Sequence, residues 1–307
     1  MTSALIECVP NISEGRNRPL IDRIASAVPA EGVSLLDVHS DVDHNRTVLT
    51  FGGQPDAVEA AMMRVAEIAI ANIDLEQQRG VHPRIGAVDV VPFVPLRDIS
   101  LAACAERARA FGRCYAERFR IPVYLYEASA LRPDRVSLPN IRRGGYELLK
   151  QAIATDPART PDFGPASLTG AGASVIGARN PLIAFNAYLE TDDVQIAQAI
   201  ARQIRESSGG LSRVRSIGVL VGGRAQVSIN VIDFRTTSLY TIMSKLEALV
   251  SAYETRIVKT ELVGLIPQSA LLGAAIEFLR LPPEAAAATL ERRLGDAIGD
   301  YREVMFE

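Results

Sequence analysis

The 307-residue chain contains the same order of predicted secondary-structure elements twice: strand, helix, strand, strand, helix, strand. Strands are predicted by apolar or alternating runs, and helices by apolar residues at helical spacing. In the first half the predicted strands are 4–9, 33–39, 46–51 and 85–94, and the predicted helices are 17–28 and 54–73. In the second half the predicted strands are 174–189 (interrupted near 179–181), 214–221, 225–234 and 256–263, and the predicted helices are 191–205 and 238–253.

This order is that of the split βαβ unit, so the simplest architecture is α+β, with two tandem ferredoxin-like subdomains. We expect their helices to pack on mixed or antiparallel sheets, and we place the subdomains at 1–180 and 181–307. An additional helix at 100–119 and a strand at 122–126 extend the first subdomain. Residues 131–165, rich in Pro, Gly and Arg, predict long surface connections, and the alanine-rich residues 283–299 predict a helix.

The charge balance and the cysteines limit the partners and the compartment. A net charge of −3 argues against a nucleic-acid binder, whose surface would be basic. All but three of the 33 basic residues are arginines, which bind carboxylates in a bidentate manner. Cys8, Cys104 and Cys114 have neither metal nor redox spacing and predict reduced thiols in a cytoplasmic protein. Long apolar runs and a secretory signal are missing from the sequence, so we expect no membrane partner.

Only three histidines are present, so a mechanism that needs imidazole must use His39, His44 or His82. His82 lies in the sequence RGVHPR (79–84), directly before a predicted strand. Pro83 favours an extended backbone at His82, and the flanking arginines would lower its pKa and favour the neutral, basic imidazole. The local sequence fits equally well a loop histidine that is hydrogen-bonded to a backbone carbonyl.

A second polar segment, 37–46, contains two histidines and three aspartates. Imidazole and carboxylate groups suit a metal ion, and a metal-dependent hydrolase would use Asp37, His39, Asp43 and His44. The spacing matches none of the common metal signatures, and Asp and Asn often form turns, so we favour a turn and a polar pocket wall. In the same segment Arg46 is a candidate to bind a carboxylate and Asn45 an amide or a ring edge.

Two further loops contain candidate residues. The loop 9–16 supplies Asn11 and Glu14, although a simple helix start capped by Ser13 or Asn17 explains it as well. The segment 161–172 has glycines and small residues that allow close approach to a flat ligand. It lacks the endings of phosphate-binding and dinucleotide-binding loops, and alone it reads as an interdomain linker.

Taken together, the motifs resemble those of the formiminotransferase family, the glutamate formimidoyltransferases, nearly from end to end. The motifs are ECVPNISEG (7–15), NRTV (45–48), HPRIGAVD (82–89), PDFGP (161–165), GAR (177–179) with LIAFN (182–186), QVS (226–228) and ELVGLIP (261–267). The resemblance implies two ferredoxin-like subdomains, a homodimer and a tunnel for tetrahydrofolate as co-substrate. It also implies transfer of a formimino group from N-formimino-L-glutamate to N5 of tetrahydrofolate, in histidine degradation.

The resemblance also implies site residues. The catalytic histidine of the family corresponds to His82. The folate-contacting stretch of the family corresponds to Gly164, Pro165, Ala166, Ser167, Leu168, Thr169, Gly170, Ala171 and Gly172. Both substrates carry carboxylates, for which we expect Arg46, Arg84 and either Arg142 or Arg143 as partners. Asp89 is a candidate to orient the site or balance its charge, and we expect no metal.

Three alternatives stay open at this point. A relative that transfers formyl between 5-formyltetrahydrofolate and glutamate would need the same residues. The metal-dependent hydrolase and a folate-binding protein without turnover are the other two.

Overall fold

The computed structural model describes residues 4–298. The chain divides into two units. The first contains the residues up to 181 together with 219–223 and 263–265, and the second contains 182–218, 224–262 and the residues from 266 onward. Within the described part, no helix is both long enough and apolar enough to span a bilayer.

The first unit contains seven strands and five α-helices within its described residues. In chain order they are β1 (Leu5–Cys8), β2 (Asn11–Ile12), α1 (Arg18–Ser26), β3 (Val33–Asp41), β4 (Arg46–Gly53), α2 (Pro55–Asn72), β5 (Val88–Arg97), α3 (Leu101–Phe119), β6 (Val123–Glu127), α4 (Leu138–Ile141), α5 (Gly145–Ala152) and β7 (Ser174–Ala178).

The strands of the first unit form one mixed sheet. β1 and β2 follow one another between β4 and β5, antiparallel to both, and β3 pairs with the outer side of β4. Beyond β5 the sheet continues with β7 and then β6, and these three strands are parallel. The order β3–β4–β1–β5 is the ferredoxin-like order predicted from the sequence, and β6 is the predicted strand that extends the first subdomain. Residues 174–178 were predicted as part of a strand of the second half, which was wrong, because β7 pairs with β5 and β6 in the first sheet.

The apolar faces of the helices pack against this sheet and form the core with it. α1 places Leu20 and Ile24 in the core, and α2 contributes Met62 and Val65 from one face. Ser100 caps α3 as its sequence suggests, because its Oγ accepts the N–H of Ala103 at 3.1 Å.

The second unit has its own core and a four-stranded sheet. Its elements are β8 (Ile183–Leu189), α6 (Val194–Ile204), β9 (Val214–Val221), β10 (Arg224–Val231), α7 (Leu239–Ala252), β11 (Ile257–Val263), α8 (Gln268–Leu279) and α9 (Leu290–Ala297). The order β11–β8–β10–β9 is again ferredoxin-like, and β8 and β10 are antiparallel. The α+β prediction with two tandem ferredoxin-like sheets is confirmed.

Two further local predictions were wrong. Residues 131–165 are not only connections, because α4 and α5 lie there and bury Ile141, Tyr146 and Leu149. The predicted helix 283–299 is divided into a 3₁₀ turn (Pro283–Ala287) and α9, and its last residue lies outside the described residues. In residues 131–165 Pro and Gly interrupt the short apolar runs, so that helical periodicity is hard to detect. In residues 283–299 the helix is interrupted at Ala288 and Thr289.

Substitution of Phe51 tests the packing of the core of the first unit. Its side chain is completely buried in β4, whereas Leu36 in the neighbouring strand β3 is 52% exposed. Phe51→Ala should lower the free energy of unfolding by about 3–5 kcal/mol because it removes a buried ring and leaves a cavity. Leu36→Ala is the control and should change it by less than about 1 kcal/mol. Urea unfolding measures both, and equal losses would contradict this packing.

Candidate active site

The turn between β3 and β4 is built by aspartate and asparagine side chains. Oδ1 of Asp41 accepts the N–H groups of Asp43 and His44, at 2.9 and 2.7 Å. Asn45 has a φ of 47°, in the left-handed region that Asn tolerates, and its Oδ1 accepts the N–H of Gly15 at 2.9 Å. The prediction of a turn in this segment is confirmed.

This turn lies directly against the loop that carries His82. Nδ2 of Asn45 donates to the carbonyl of Arg79 at 2.9 Å. Gly80 is necessary for the contact, because a Cβ there would lie 2.2 Å from the carbonyl oxygen of His44. The rings of His44 and His82 are consequently close, with centroids 5.6 Å apart.

The register of the sheet explains why Arg46 and Asp89 lie close together. β4 and β5 both run antiparallel to β2, and Asn11 of β2 is opposite Val48 of β4 and Val90 of β5. β4 and β5 therefore begin at the same end of the sheet, which brings Arg46 and Asp89 together.

Asp89 is the centre of the charged network. Its side chain is completely buried, and Oδ1 accepts the N–H of Ile85 at 2.8 Å. Oδ2 accepts from Nη1 of Arg46 at 3.1 Å and also from Nη2 of Arg142. Both guanidinium groups are nearly buried, with side chains 13% and 11% exposed. One carboxylate thus faces two arginines, and the cluster has a net positive charge.

Arg46 links this cluster to Asn11 and His82. Its Nε donates to Oδ1 of Asn11 at 2.9 Å, and its Nη1 lies 3.0 Å from Nδ1 of His82. Burial, and then the charge of Arg142, lower the pKa of Arg46 to about 9, while Asp89 acts in the opposite direction. Arg46 therefore keeps its positive charge at neutral pH.

His82 is half-buried, and its Nδ1 has two neighbours of opposite character. It lies 3.0 Å from the donor Nη1 of Arg46 and 2.8 Å from the carbonyl oxygen of Pro83, an acceptor. An unprotonated Nδ1 accepts from Arg46, which leaves the proton of a neutral ring on Nε2. A protonated Nδ1 donates to Pro83, which leaves a basic lone pair on Nε2.

The electrostatic environment keeps this imidazole neutral. Burial and then the guanidinium groups of Arg46 and Arg142 lower the pKa of His82 well below its usual value. The sequence predicted this direction but attributed it to Arg79 and Arg84. The lowering comes instead from two arginines that are distant in sequence, because Arg84 is directed elsewhere.

Two other predicted residues make local contacts. Arg84 donates to the carboxylate of Glu147 at 3.1 Å and to Oε1 of Gln78 at 2.5 Å. Oε1 of Glu14 accepts the N–H groups of Arg16 and Asn17 before α1, as in the simple helix start. A role for either residue in substrate binding stays a prediction.

The predicted folate stretch is anchored at both ends. At its start, the carboxylate of Asp162 pairs with the buried Arg135 at 2.6 Å, and Gly164 has a φ of 85°. At its end, the N–H of Ala87 donates to the carbonyl of Ala171 at 2.8 Å, and a Cβ on Gly172 would lie 2.2 Å from the carbonyl oxygen of Ile85.

The stretch therefore ends beside the segment that follows His82. Between the two anchors Ala166, Ser167 and Thr169 are exposed. An open cleft of about 550 Å³ lies on one side, lined by Ile70, Ala71, Asn72, Ile73, Asp74, Glu76, Phe119, Ile121, Thr169, Gly170 and Ala171.

The structure brings together several of the predicted site residues: Asn11, Asn45, Arg46, His82 and Asp89. Arg142, one of the two arginines proposed as alternatives, joins them. Sequence reasoning missed the proximity of His44 to His82, because it considered His44 as a metal ligand or as part of a turn and a polar pocket wall. The glycine at position 80 was the available signal, since it marks a close backbone approach.

Comparison with known proteins decides the family. A family model described as the N-terminal subdomain of the formiminotransferase domain matches residues 5–179, and one described as the formiminotransferase domain matches 184–288. The chain belongs to the formiminotransferase family. The resemblance drawn from the motifs is confirmed.

Relatives in this family come from all three domains of life. A glutamate formimidoyltransferase of Thermoplasma acidophilum is 41% identical, with 96% of this chain and 98% of that one covered. One of Streptococcus pyogenes serotype M1 is 38% identical over 90% of this chain and 94% of its own. The formimidoyltransferase-cyclodeaminase of Mus musculus is 42% identical over 89% of this chain, but only 52% of the mouse chain is covered.

The metal site considered from the sequence has no matching group of ligands among the described residues. Within residues 4–298, no group of three or more His, Cys, Asp and Glu side chains is arranged to hold a metal ion. In the 37–46 segment, Asp41 instead builds the turn through backbone hydrogen bonds.

Asp89 should be essential to the stability of this formiminotransferase site. Asp89→Ala leaves two nearly buried guanidinium groups without their counter-charge, and we expect a loss of about 3–5 kcal/mol in the free energy of unfolding. Glu147→Ala is the matched control, because its carboxylate pairs with Arg84 but is 60% exposed, and it should cost less than about 1 kcal/mol. Chemical denaturation compares them, and a loss for Asp89→Ala no larger than that of the control would contradict the assignment.

Proposed function

We propose that the protein is a glutamate formimidoyltransferase. It transfers the formimino group of N-formimino-L-glutamate to N5 of tetrahydrofolate and releases L-glutamate, a reaction of histidine degradation. The observation that carries this proposal is the neutral, half-buried imidazole of His82 beside a cationic cluster. The names of its bacterial and archaeal relatives support the same reaction.

The reaction needs one proton to move between two nitrogens. N5 of tetrahydrofolate attacks the formimino carbon, and a C–N5 bond forms to give a tetrahedral centre. The N5 proton leaves, the glutamate nitrogen gains a proton, and the bond from carbon to that nitrogen breaks. A neutral imidazole accepts the first proton and returns it to the leaving amine, so His82 can serve both steps in sequence.

The cationic cluster suits the carboxylates of the substrates. Asp89 neutralises only one of the two guanidinium charges of Arg46 and Arg142. Nε of Arg142 is buried and has no hydrogen-bond partner among residues 4–298. A substrate carboxylate would supply the missing acceptor and balance the remaining charge.

The co-substrate is tetrahydrofolate, held by the stretch from Gly164 to Gly172. Two observations support this placement. The exposed small residues of the stretch leave its backbone accessible, and its end pairs with the segment that follows His82. The subdomain limits 1–180 and 181–307, the homodimer, the cytoplasmic location and the absence of nucleic-acid, membrane and metal partners stay predictions.

Substitution of His82 tests the proposal. His82→Gln and His82→Ala should lower turnover of N-formimino-L-glutamate with tetrahydrofolate by roughly 100- to 10,000-fold, because proton transfer loses its carrier. Folding should be unaffected, since the side chain belongs to a loop outside the core. Val81→Ala, at a 46% exposed neighbour, is the control. Most of the turnover surviving in both His82 variants would refute the assignment.

The same turnover measurement, with a different donor, separates formimino transfer from formyl transfer. With N-formyl-L-glutamate in place of the formimino donor, we expect a much slower reaction. A faster reaction with the formyl donor would make the protein a formyltransferase.

The pH dependence of kcat/KM follows from the lowered pKa of His82. The neutral imidazole is the basic form, and it persists below the ordinary histidine pKa of about 6.5. The value of kcat/KM should therefore stay level as the pH falls through 6.5 and decline only at lower pH. Arg46→Gln removes one cation, raises the pKa of His82 and should move the decline to higher pH. A wild-type decline centred at or above pH 6.5 would contradict the electrostatic account.

A further inference from the structure

His44 is the group in the site that the mechanism above does not use. Its ring lies 5.6 Å from that of His82 between centroids, with 34° between the planes. This separation allows a hydrogen bond between ring nitrogens when the rings turn toward each other, or one bridging water.

The backbone fixes this pair. Hydrogen bonds join the two loops on both sides of His44: Val81 donates to the carbonyl of Asp43 at 3.1 Å, and Asn45 donates to that of Arg79 at 2.9 Å. The carbonyl of His44 itself is packed on Gly80. Each imidazole is thus attached to a segment that cannot move away independently of the other.

The charged groups around the two rings are not the same. His82 faces the guanidinium groups of Arg46 and Arg142, whose counter-charge Asp89 lies beyond them. On the His44 side, the turn carries the carboxylates of Asp41 and Asp43, and the segments hydrogen-bonded to the turn carry Arg16 and Arg79. The charge of His44 is itself one of the causes that lower the pKa of His82, so the lone pair of the two rings is favoured on His82.

We propose that His44 is a second catalytic residue, which donates the proton to the leaving glutamate nitrogen while His82 accepts the proton of N5. The proposal rests on the function proposed above. The C–N5 bond forms and the bond from carbon to the glutamate nitrogen breaks, as before. A proton then passes from His82 to His44, which restores a neutral His82 and a protonated His44. No proton is gained or lost over the cycle, and no further reactant is needed.

The test uses the full chain with His44→Ala and His44→Gln. Val42→Ala, in the same turn and 60% exposed, is the matched control. Steady-state formimino transfer and its pH profile are measured for each variant, with and without added imidazole. Thermal unfolding establishes that each variant is folded.

We expect both His44 variants to lose tenfold or more in kcat, with KM for both substrates changed less than about twofold. Free imidazole should restore part of the rate to His44→Ala, where the ring is missing, but not to His44→Gln, where the side chain fills the space. The pH profile of kcat should lose the decline at high pH that a protonated donor produces. Turnover in the control should equal that of the wild type.

Two results would overturn the proposal. One is a wild-type kcat in both His44 variants. The other is a loss of rate with an unchanged pH profile and no rescue by imidazole, which marks a structural role. The proposed function would be refuted by a different result, namely that the wild-type protein does not transfer the formimino group.

Imidazole resonances give a readout that is independent of activity. With only three histidines, ¹⁵N-histidine labelling yields three sets of signals, and His44→Gln assigns one set. The titration of His82 should change in His44→Gln, because coupled groups titrate together. A titration curve of His82 identical to that of the wild type would also overturn the proposal.

Discussion

The buried carboxylate of Asp89 is the interaction on which the site depends. A carboxylate without solvent requires a counter-charge, and Asp89 has two, Arg46 and Arg142. These arginines come from the start of β4 and from the end of α4, so one side chain joins distant parts of the first unit. The same guanidinium groups keep His82 neutral, and the charge that Asp89 leaves unbalanced is available to a substrate.

Topology explains why these groups meet. In a ferredoxin-like sheet the first strand lies between two strands that both run antiparallel to it, so those two begin at the same end. The starts of β4 and β5, together with Asn11 of β2, therefore form a small polar area around Arg46. The loops before β4 and β5 supply His44 and His82. The overall charge of −3 is compatible with this cluster, because only the local balance matters to a small anion.

Sequence reasoning succeeded where the signal is local. The repeated order of strands and helices follows from periodicity, and the placement of His82 follows from Pro83 and the strand after it. The contact of Arg142 with Asp89 spans 53 positions and depends on the path of a segment rich in Pro and Gly, whose two short helices were missed. Arg84 shows the converse: its closeness in sequence suggested an influence on His82, but Glu147, 63 positions away, binds its guanidinium group. Local patterns do not encode which of several arginines reaches a buried carboxylate.

The central claim is that the imidazole of His82 exchanges a proton with N5 of tetrahydrofolate. A crystal structure of the protein with bound tetrahydrofolate tests it most directly, through the distance from N5 to the nearest ring nitrogen of His82. The account predicts hydrogen-bond distance, roughly 2.6–3.2 Å, or a single water between the two atoms. A pteridine bound with N5 turned away from His82, and with no water linking them, would contradict it.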